Sequence, residues 1–123
     1  MSKRKIAYYV VTALFTVLLS LGIVMYFAKH ADVVKAFTKL GYPTYIIYPL
    51  AIAKLLGLIA IWTKISPTLK EWAYAGFFFD LVLAIAAHVA IKDGEFFAAA
   101  IGLTLLLASY FLEEPVEAQS ANA

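Results

Sequence analysis

Long hydrophobic runs dominate this chain, and short polar segments separate them. Four runs approach or reach the roughly 20 residues that a helix needs to cross about 30 Å of hydrocarbon. They are residues 6–27, 44–62, 72–91 and 96–112. Polar and apolar residues do not alternate as they do in the strands of a membrane barrel. The runs therefore predict four transmembrane helices, and their short connectors predict an all-α, antiparallel, up-and-down four-helix bundle.

The first connector, residues 28–43, carries an amphipathic pattern. Its apolar residues share one helical face, with lysines on the opposite face: Val33, Val34, Phe37 and Leu40 against Lys35 and Lys39. Asp32 is suited to cap such a helix, and Gly41-Tyr42-Pro43 is suited to end it. The pattern predicts a short helix lying in the membrane interface after the first span, with a solvated loop as the alternative.

Composition supports a membrane protein of one domain. Of 123 residues, 64% are hydrophobic and 15% are charged, whereas soluble domains are about half apolar and a quarter charged. We assign residues 1–112 to a single transmembrane domain and residues 113–123 to an acidic, flexible tail. The chain has no cysteine, which excludes disulfides and thiolate metal sites formed by this chain. Its near-balanced charge shows no basic stripe for nucleic acid.

Basic residues at the start of the chain indicate its orientation. Lys3, Arg4 and Lys5 precede the first run, and positive charge favours the cytoplasmic side, so both termini are predicted to be cytoplasmic. A cleaved signal peptide is the alternative for this run. The run is longer than the usual 7–15 apolar residues and no Ala-x-Ala site follows, so we interpret it as a retained anchor.

Three ionisable residues lie inside predicted spans: Lys54, Asp80 and His88. Lys54 precedes Trp62 by eight residues, and Asp80 follows Trp72 by eight. Because both tryptophans lie at one end of an antiparallel hairpin, both charges lie about 12 Å from that end. Charges in hydrocarbon are costly unless paired, so we predict a buried Lys54–Asp80 ion pair. The pair is either a structural contact between two helices or a site that handles protons or ligands.

His88 shares a helical face with Asp80 and lies two turns nearer the outer end. Pro49 is expected at a similar depth, inside the second span, where a proline would leave the carbonyl of Tyr45 unpaired. Tyr45, Tyr48 and His88 are therefore candidates for an aromatic pocket with a few polar groups. Such a pocket suits a quinone or another flat lipophilic ligand. The alternative is a His88 that only forms a structural hydrogen bond.

Haem and metal binding have weaker support. A single histidine can supply one axial bond to haem, but the second histidine, His30, lies in the connector and not at matched depth. We predict no metal site and no haem held by this chain alone. Thr12, Thr16 and Ser20 form a polar stripe on the first span, a pattern typical of helix packing.

Several segments together resemble a known family. They are Gly41-Tyr42-Pro43, Lys54-Leu55-Leu56-Gly57, the run from Leu69 to Phe77 that contains Lys-Glu-Trp-Ala-Tyr-Ala-Gly-Phe, and then Asp80 and His88. Over roughly residues 39–112 the chain resembles the DoxX-like family of small four-helix bacterial membrane proteins. The resemblance implies a location in a bacterial inner membrane. It also implies a link to quinones, because the family takes its name from a subunit of an archaeal thiosulfate:quinone oxidoreductase. It assigns no catalytic residue.

These observations lead to one function and two rivals. We expect a small subunit of a quinone-linked redox complex or another membrane complex, binding a lipophilic ligand, with other membrane-protein subunits or a second copy as partners. One rival is a structural or assembly subunit without a ligand. The other is a small proton-coupled transporter. Motifs that would identify an enzyme reaction, such as a nucleophile triad or a carboxylate pair, are not found, so enzyme activity stays open.

Overall fold

The computed structural model describes residues 2–113, and the regular structure within that range is entirely helical. The helices are α1 (Lys3–Ala28), α2 (His30–Leu40), α3 (Ile47–Thr63), α4 (Pro67–Ile91) and α5 (Phe97–Leu112). A 3-10 turn, Thr44–Ile46, leads into α3. Three segments are long and apolar enough to cross a membrane, namely α1, α3 with its 3-10 turn, and α4, while α5 is apolar but shorter. The predicted all-α class is confirmed; residues 114–123 of the predicted tail lie outside the described residues.

The four longer helices pack side by side. α1 contacts α3 and α5, and α4 also contacts α3 and α5. Arg4 near the start of α1 donates hydrogen bonds to carbonyl oxygens of Leu112 and Glu113 at the end of α5, both at 2.9 Å, so these two helices run antiparallel. We call this end of the bundle, which also holds the α3–α4 loop, the terminal end. The opposite end, where α2 packs on α1 and α4, is the α2 end.

Two hydrophobic clusters form the core. The larger one has members on all four longer helices: Phe15, Leu19, Leu58, Ile61, Tyr74, Phe77, Leu81 and Leu106. The smaller one joins α2 to α3 through Val33, Phe37 and Ile47. The apolar face of α2 is thus buried against the protein at two of its predicted positions, and burial of such side chains is the main stabilising contribution to a short helix.

The start of α2 differs from the sequence-based prediction, and the start of α3 shows where Pro49 lies. The N-cap of α2 is Lys29, without a side-chain hydrogen bond, and Asp32 lies in the first turn, so the prediction that Asp32 caps this helix is wrong. Pro49 is the third residue of α3, where a backbone N–H has no partner within the helix. With the 3-10 turn included, the helical segment covers Thr44–Thr63, so Pro49 lies inside the second span as predicted, and an unpaired Tyr45 carbonyl stays a prediction. The short helix itself ends as predicted, at Gly41 with φ of 82°.

Close packing of α3 on α4 depends on Gly57. A Cβ atom at this position would lie 2.8 Å from the ring of Phe77, which is 4% exposed and cannot move freely. We expect Gly57→Ala to lower the free energy of unfolding by about 1–3 kcal/mol through overpacking. Gly22→Ala is the matched control, because a Cβ there meets no atom within 4 Å and alanine favours a helix by up to about 1 kcal/mol. Thermal unfolding in detergent measures both; equal effects of the two substitutions would contradict this account of Gly57.

Candidate functional site

A groove with a volume of about 640 Å³ runs between α3 and α4. We call it the α3–α4 groove. Small residues on both helices line it and leave room between them: Ala53, Gly57 and Ala60 on α3, and Ala73 and Gly76 on α4. It continues to the α3–α4 loop at the terminal end, where Ile65, Ser66 and Trp72 border it. The volume and the apolar lining match those of sites for small ligands.

Lys54 and Asp80 bring charge into this otherwise apolar groove, and both line it. The Nζ atom of Lys54 lies 3.6 Å from Oδ2 of Asp80. The structure thus places the two predicted partners opposite each other on adjacent helices. Their side chains are 12% and 22% exposed, so the ion pair is largely shielded yet accessible from the groove. At this depth an unpaired charge would be strongly unfavourable.

Tyr26 of α1 is a third member of this polar group, and sequence reasoning missed it. Lys54 Nζ donates a hydrogen bond to the hydroxyl oxygen of Tyr26 at 3.0 Å and lies 4.7 Å from the centroid of its ring. Tyr26 in turn packs edge-on against Phe37 of α2, with ring centroids 5.8 Å apart. Lys54 is therefore held from two directions, by Asp80 of α4 and by Tyr26 of α1.

Tyr45, Tyr48 and His88, the predicted ligand-binding residues, have different surroundings in the structure. Tyr45 is 79% exposed. The ring of Tyr48 stacks on His30, with centroids 4.6 Å apart and an interplanar angle of 4°. His88 contacts Asp93 in the loop after α4, Nδ1 to Oδ2 at 2.8 Å. The α3–α4 groove has none of these three residues in its lining.

The His88–Asp93 contact organises the loop between α4 and α5. Asp93 Oδ1 also accepts the backbone N–H of Glu95 at 2.9 Å. That backbone hydrogen bond and the interaction with His88 stabilise the carboxylate and hold the pKa of Asp93 below its usual range. The His88–Asp93 contact therefore has a structural role, since it fixes the loop that follows α4 at the α2 end.

A second polar group, which we call the Glu113 cluster, lies at the terminal end. The carboxylate of Glu113 contacts Lys70 Nζ, lies 3.4 Å from Lys64 Nζ, and accepts the hydroxyl of Tyr8 at 3.0 Å. Lys70 is 6% exposed, so Glu113 is its essential counter-charge. The Lys64 cation also lies 4.7 Å from the centroid of the Tyr8 ring. Glu113, assigned to the flexible tail from sequence, is held firmly by the bundle.

Three buried hydroxyl groups continue inward from this end. Thr12 Oγ1 and Ser109 Oγ are 2.6 Å apart, and Tyr74 Oη and Ser109 Oγ are 2.8 Å apart. The next hydroxyl of the α1 stripe, Thr16 Oγ1, accepts the indole N–H of Trp62 at 2.8 Å. These hydrogen bonds link α1 to α3, α4 and α5. Within residues 2–113, every buried side-chain nitrogen and oxygen has a partner, so the stripe serves helix packing.

Two sequence features could have identified Lys70 and Tyr26 as members of these polar groups. Lys70 is a lysine inside the predicted hairpin, and a lysine near a helix end that cannot reach water needs a carboxylate. Tyr26 lies near the outer end of the first span, at a depth that a long Lys54 side chain can reach. In the described part of the chain, no group of three or more His, Cys, Asp or Glu side chains could hold a metal ion.

Fold and site together define a class: an all-helical integral membrane protein with a charged pair inside a lipophilic groove. Comparison with family models makes the assignment more specific, since the model of the DoxX-like family matches residues 10–111. The chain belongs to the DoxX-like family, and the resemblance noted in its sequence is confirmed. Searches of curated proteins and of solved structures find no match.

Proposed function

We propose that this protein is a small membrane subunit of a quinone-linked redox complex and binds a lipophilic quinone-type ligand. The observation that carries the proposal is the α3–α4 groove, whose apolar walls enclose one cation and one anion, Lys54 and Asp80. A flat ring with a long apolar chain needs such a site: hydrocarbon contacts along its length and a few polar groups at its head. Tyr45, Tyr48 and His88, for which the sequence predicts a ligand site, do not line this groove.

The proposed topology has four membrane-spanning helices with both termini cytoplasmic, in a bacterial inner membrane. α5 has 16 residues and is about 24 Å long, slightly short for a typical bilayer. Its hydrogen-bonded contacts with α1 and α4 hold it within the bundle. The terminal end then carries five basic residues and the α2 end carries four, namely Lys3, Arg4, Lys5, Lys64 and Lys70 against Lys29, Lys35, Lys39 and Lys92. The cluster of three at the start of the chain supports a cytoplasmic terminal end.

The proposal includes partner subunits. The groove supplies a ligand site and two charged side chains, and in the proposed complex the electrons are exchanged with another membrane-protein subunit. The aromatic and aliphatic side chains on the outer faces of the helices suit contact with lipid or with such a subunit.

A substitution in the groove tests the ligand site. Gly76 lines the groove, and a Cβ atom there meets no atom within 4 Å, so Gly76→Leu is expected to fill ligand space without disturbing the core. Gly22→Leu is the matched control on α1, where a Cβ also meets no atom within 4 Å. Each protein is purified gently from native membranes, and its lipids and co-purifying proteins are identified by mass spectrometry.

We expect wild type and Gly22→Leu to carry a lipophilic quinone near equimolar ratio, and Gly76→Leu to lose most of it. Equal amounts of quinone in all three proteins, or none in any of them, would refute the groove as a quinone site. A stoichiometric partner protein with no quinone would instead support a structural or assembly subunit. That second function is favoured by one observation, the way Tyr26, Lys54 and Asp80 join three helices.

A further inference from the structure

The carboxylate of Asp80 is paired with a cation but receives no hydrogen bond from it. Lys54 Nζ donates its short hydrogen bond to Tyr26, at 3.0 Å, and stands 3.6 Å from Asp80 Oδ2. A separation of 3.6 Å is an ion pair but exceeds a normal N–H···O hydrogen bond. Across residues 2–113, Asp80 accepts no hydrogen bond from a side chain or from a backbone N–H outside its own helix. Its acceptor positions face the groove, where the side chain is 22% exposed.

An ionised carboxylate offers acceptors only, and at membrane depth it needs a donor. The two redox forms of a quinone differ in this respect. The oxidised ring carries carbonyl oxygens, which accept hydrogen bonds and are repelled by a carboxylate. The reduced ring, a hydroquinone, carries hydroxyl groups, which donate. A ligand head beside Asp80 is therefore stabilised when it is reduced.

Lys54 supports the preference of Asp80 for a reduced ligand head. An ammonium group has three donors, and only one is used by Tyr26. The other two are available to groups in the groove, so one of them can donate to the oxygen of the hydroxyl that Asp80 binds. Tyr26 is a positioning residue here, since its hydroxyl keeps Lys54 from moving fully onto Asp80 and occupying the acceptors that a ligand would use.

Resting on the proposed function, we infer that the α3–α4 groove selects the hydroquinone form of its ligand, with Asp80 accepting a ring hydroxyl and Lys54 donating to the same head group. Binding of the oxidised form would leave a charged acceptor without a donor. Loss of a hydrogen bond to a charged group is large enough to separate the two affinities by at least about tenfold.

The test uses the full chain in lipid nanodiscs with two probes, decylubiquinone and its hydroquinone, under nitrogen. Isothermal titration calorimetry measures the Kd of each, and Gly76→Leu provides the blank for partition into lipid. We expect the hydroquinone to bind at least about tenfold more tightly than the quinone. Asp80→Asn is expected to abolish the preference, because an amide both donates and accepts.

Tyr26→Phe supplies a second test that keeps the ring beneath Lys54. Without the hydroxyl, Lys54 is expected to move onto Asp80 and to weaken hydroquinone binding while leaving quinone binding unchanged. Tyr42→Phe is the control, since the Tyr42 hydroxyl donates to the Leu83 carbonyl at 2.9 Å in the same region of the bundle. Equal affinities of wild type for the two probes, or tighter binding of the quinone, would overturn the inferred preference for hydroquinone. Either result would still support the groove as a quinone site. Binding of neither probe above the Gly76→Leu blank would overturn the proposed function as well.

Discussion

Replacing Lys54 alone by methionine is expected to lower the free energy of unfolding by about 3 kcal/mol, because it leaves Asp80 charged and unpaired at membrane depth. Asp80→Leu alone is expected to cost about as much for the same reason, applied to Lys54. The double variant Lys54→Met with Asp80→Leu should recover most of the stability, since it leaves no isolated charge. Unfolding in mixed detergent micelles, followed by circular dichroism, measures all three.

Lys35→Met is the control, because Lys35 is an exposed lysine of α2 and surface substitutions are usually within about 0.5 kcal/mol. Additive losses in the double variant would show that Lys54 and Asp80 do not act as a pair. The double variant also separates the two proposed functions. A protein that stays folded and keeps its partner would support a structural subunit, whereas a folded protein without quinone would support the ligand site.

Glu113→Gln is expected to destabilise the terminal end by about 3 kcal/mol, through the loss of the counter-charge of the buried Lys70. The substitution preserves the shape of the side chain, so the effect reports charge. Hydrogen exchange of the last turn of α5 should accelerate together with the fall in stability, because Glu113 joins this turn to Lys70 of α4 and Tyr8 of α1.

The control is Glu95→Gln, which removes a charge from an exposed side chain in the α4–α5 loop. A normal melting temperature for Glu113→Gln would mean that Lys64 and water satisfy Lys70 without the carboxylate. If Lys70 is satisfied without the carboxylate, adding Lys70→Met to Glu113→Gln should leave the stability unchanged. If the two residues form a buried pair, adding Lys70→Met should restore the stability that Glu113→Gln removed.

Part of the site could be predicted because the depth of a residue in the membrane can be calculated from its distance along a spanning helix. A helix rises 1.5 Å per residue, and hydrocarbon makes an unpaired charge costly. Counting from Trp62 and Trp72 therefore places Lys54 and Asp80 at one level, and the structure puts them 3.6 Å apart. The hydrophobic runs are equally informative, since a run of suitable length has few alternatives to a spanning helix.

Depth alone does not determine which way a side chain faces. Tyr48 and His88 are at compatible depths, yet Tyr48 stacks on His30 of α2 and His88 turns to Asp93 in the next loop. Both partners lie in connectors between the predicted spans, whose position against the bundle the sequence does not give. The rotation of each helix about its axis is set by how the side chains of all its neighbours pack together, so it cannot be calculated from one helix at a time.

The Glu113 cluster shows the same limit over longer distances. Glu113 reads as the first residue of an acidic tail, while the lysine that it contacts, Lys70, is 43 residues away. Only the docking of α5 against α1 and α4 brings the carboxylate to the buried ammonium. Local composition around Glu113 gives no indication of this partner, because the contact joins residues far apart in the chain.

Hydrophobic pattern and charge sufficed for the helical class, three long apolar segments and the level of the central ion pair, whereas the family was indicated by the resemblance of specific motifs. The first three follow from local periodicity, from the thickness of a bilayer or from the cost of an isolated charge. The packed bundle decided the α3–α4 groove, the hydrogen bond between Lys54 and Tyr26 and the position of Glu113. These depend on helix rotation and on contacts between residues far apart in the chain, which are set by many side chains packing at once.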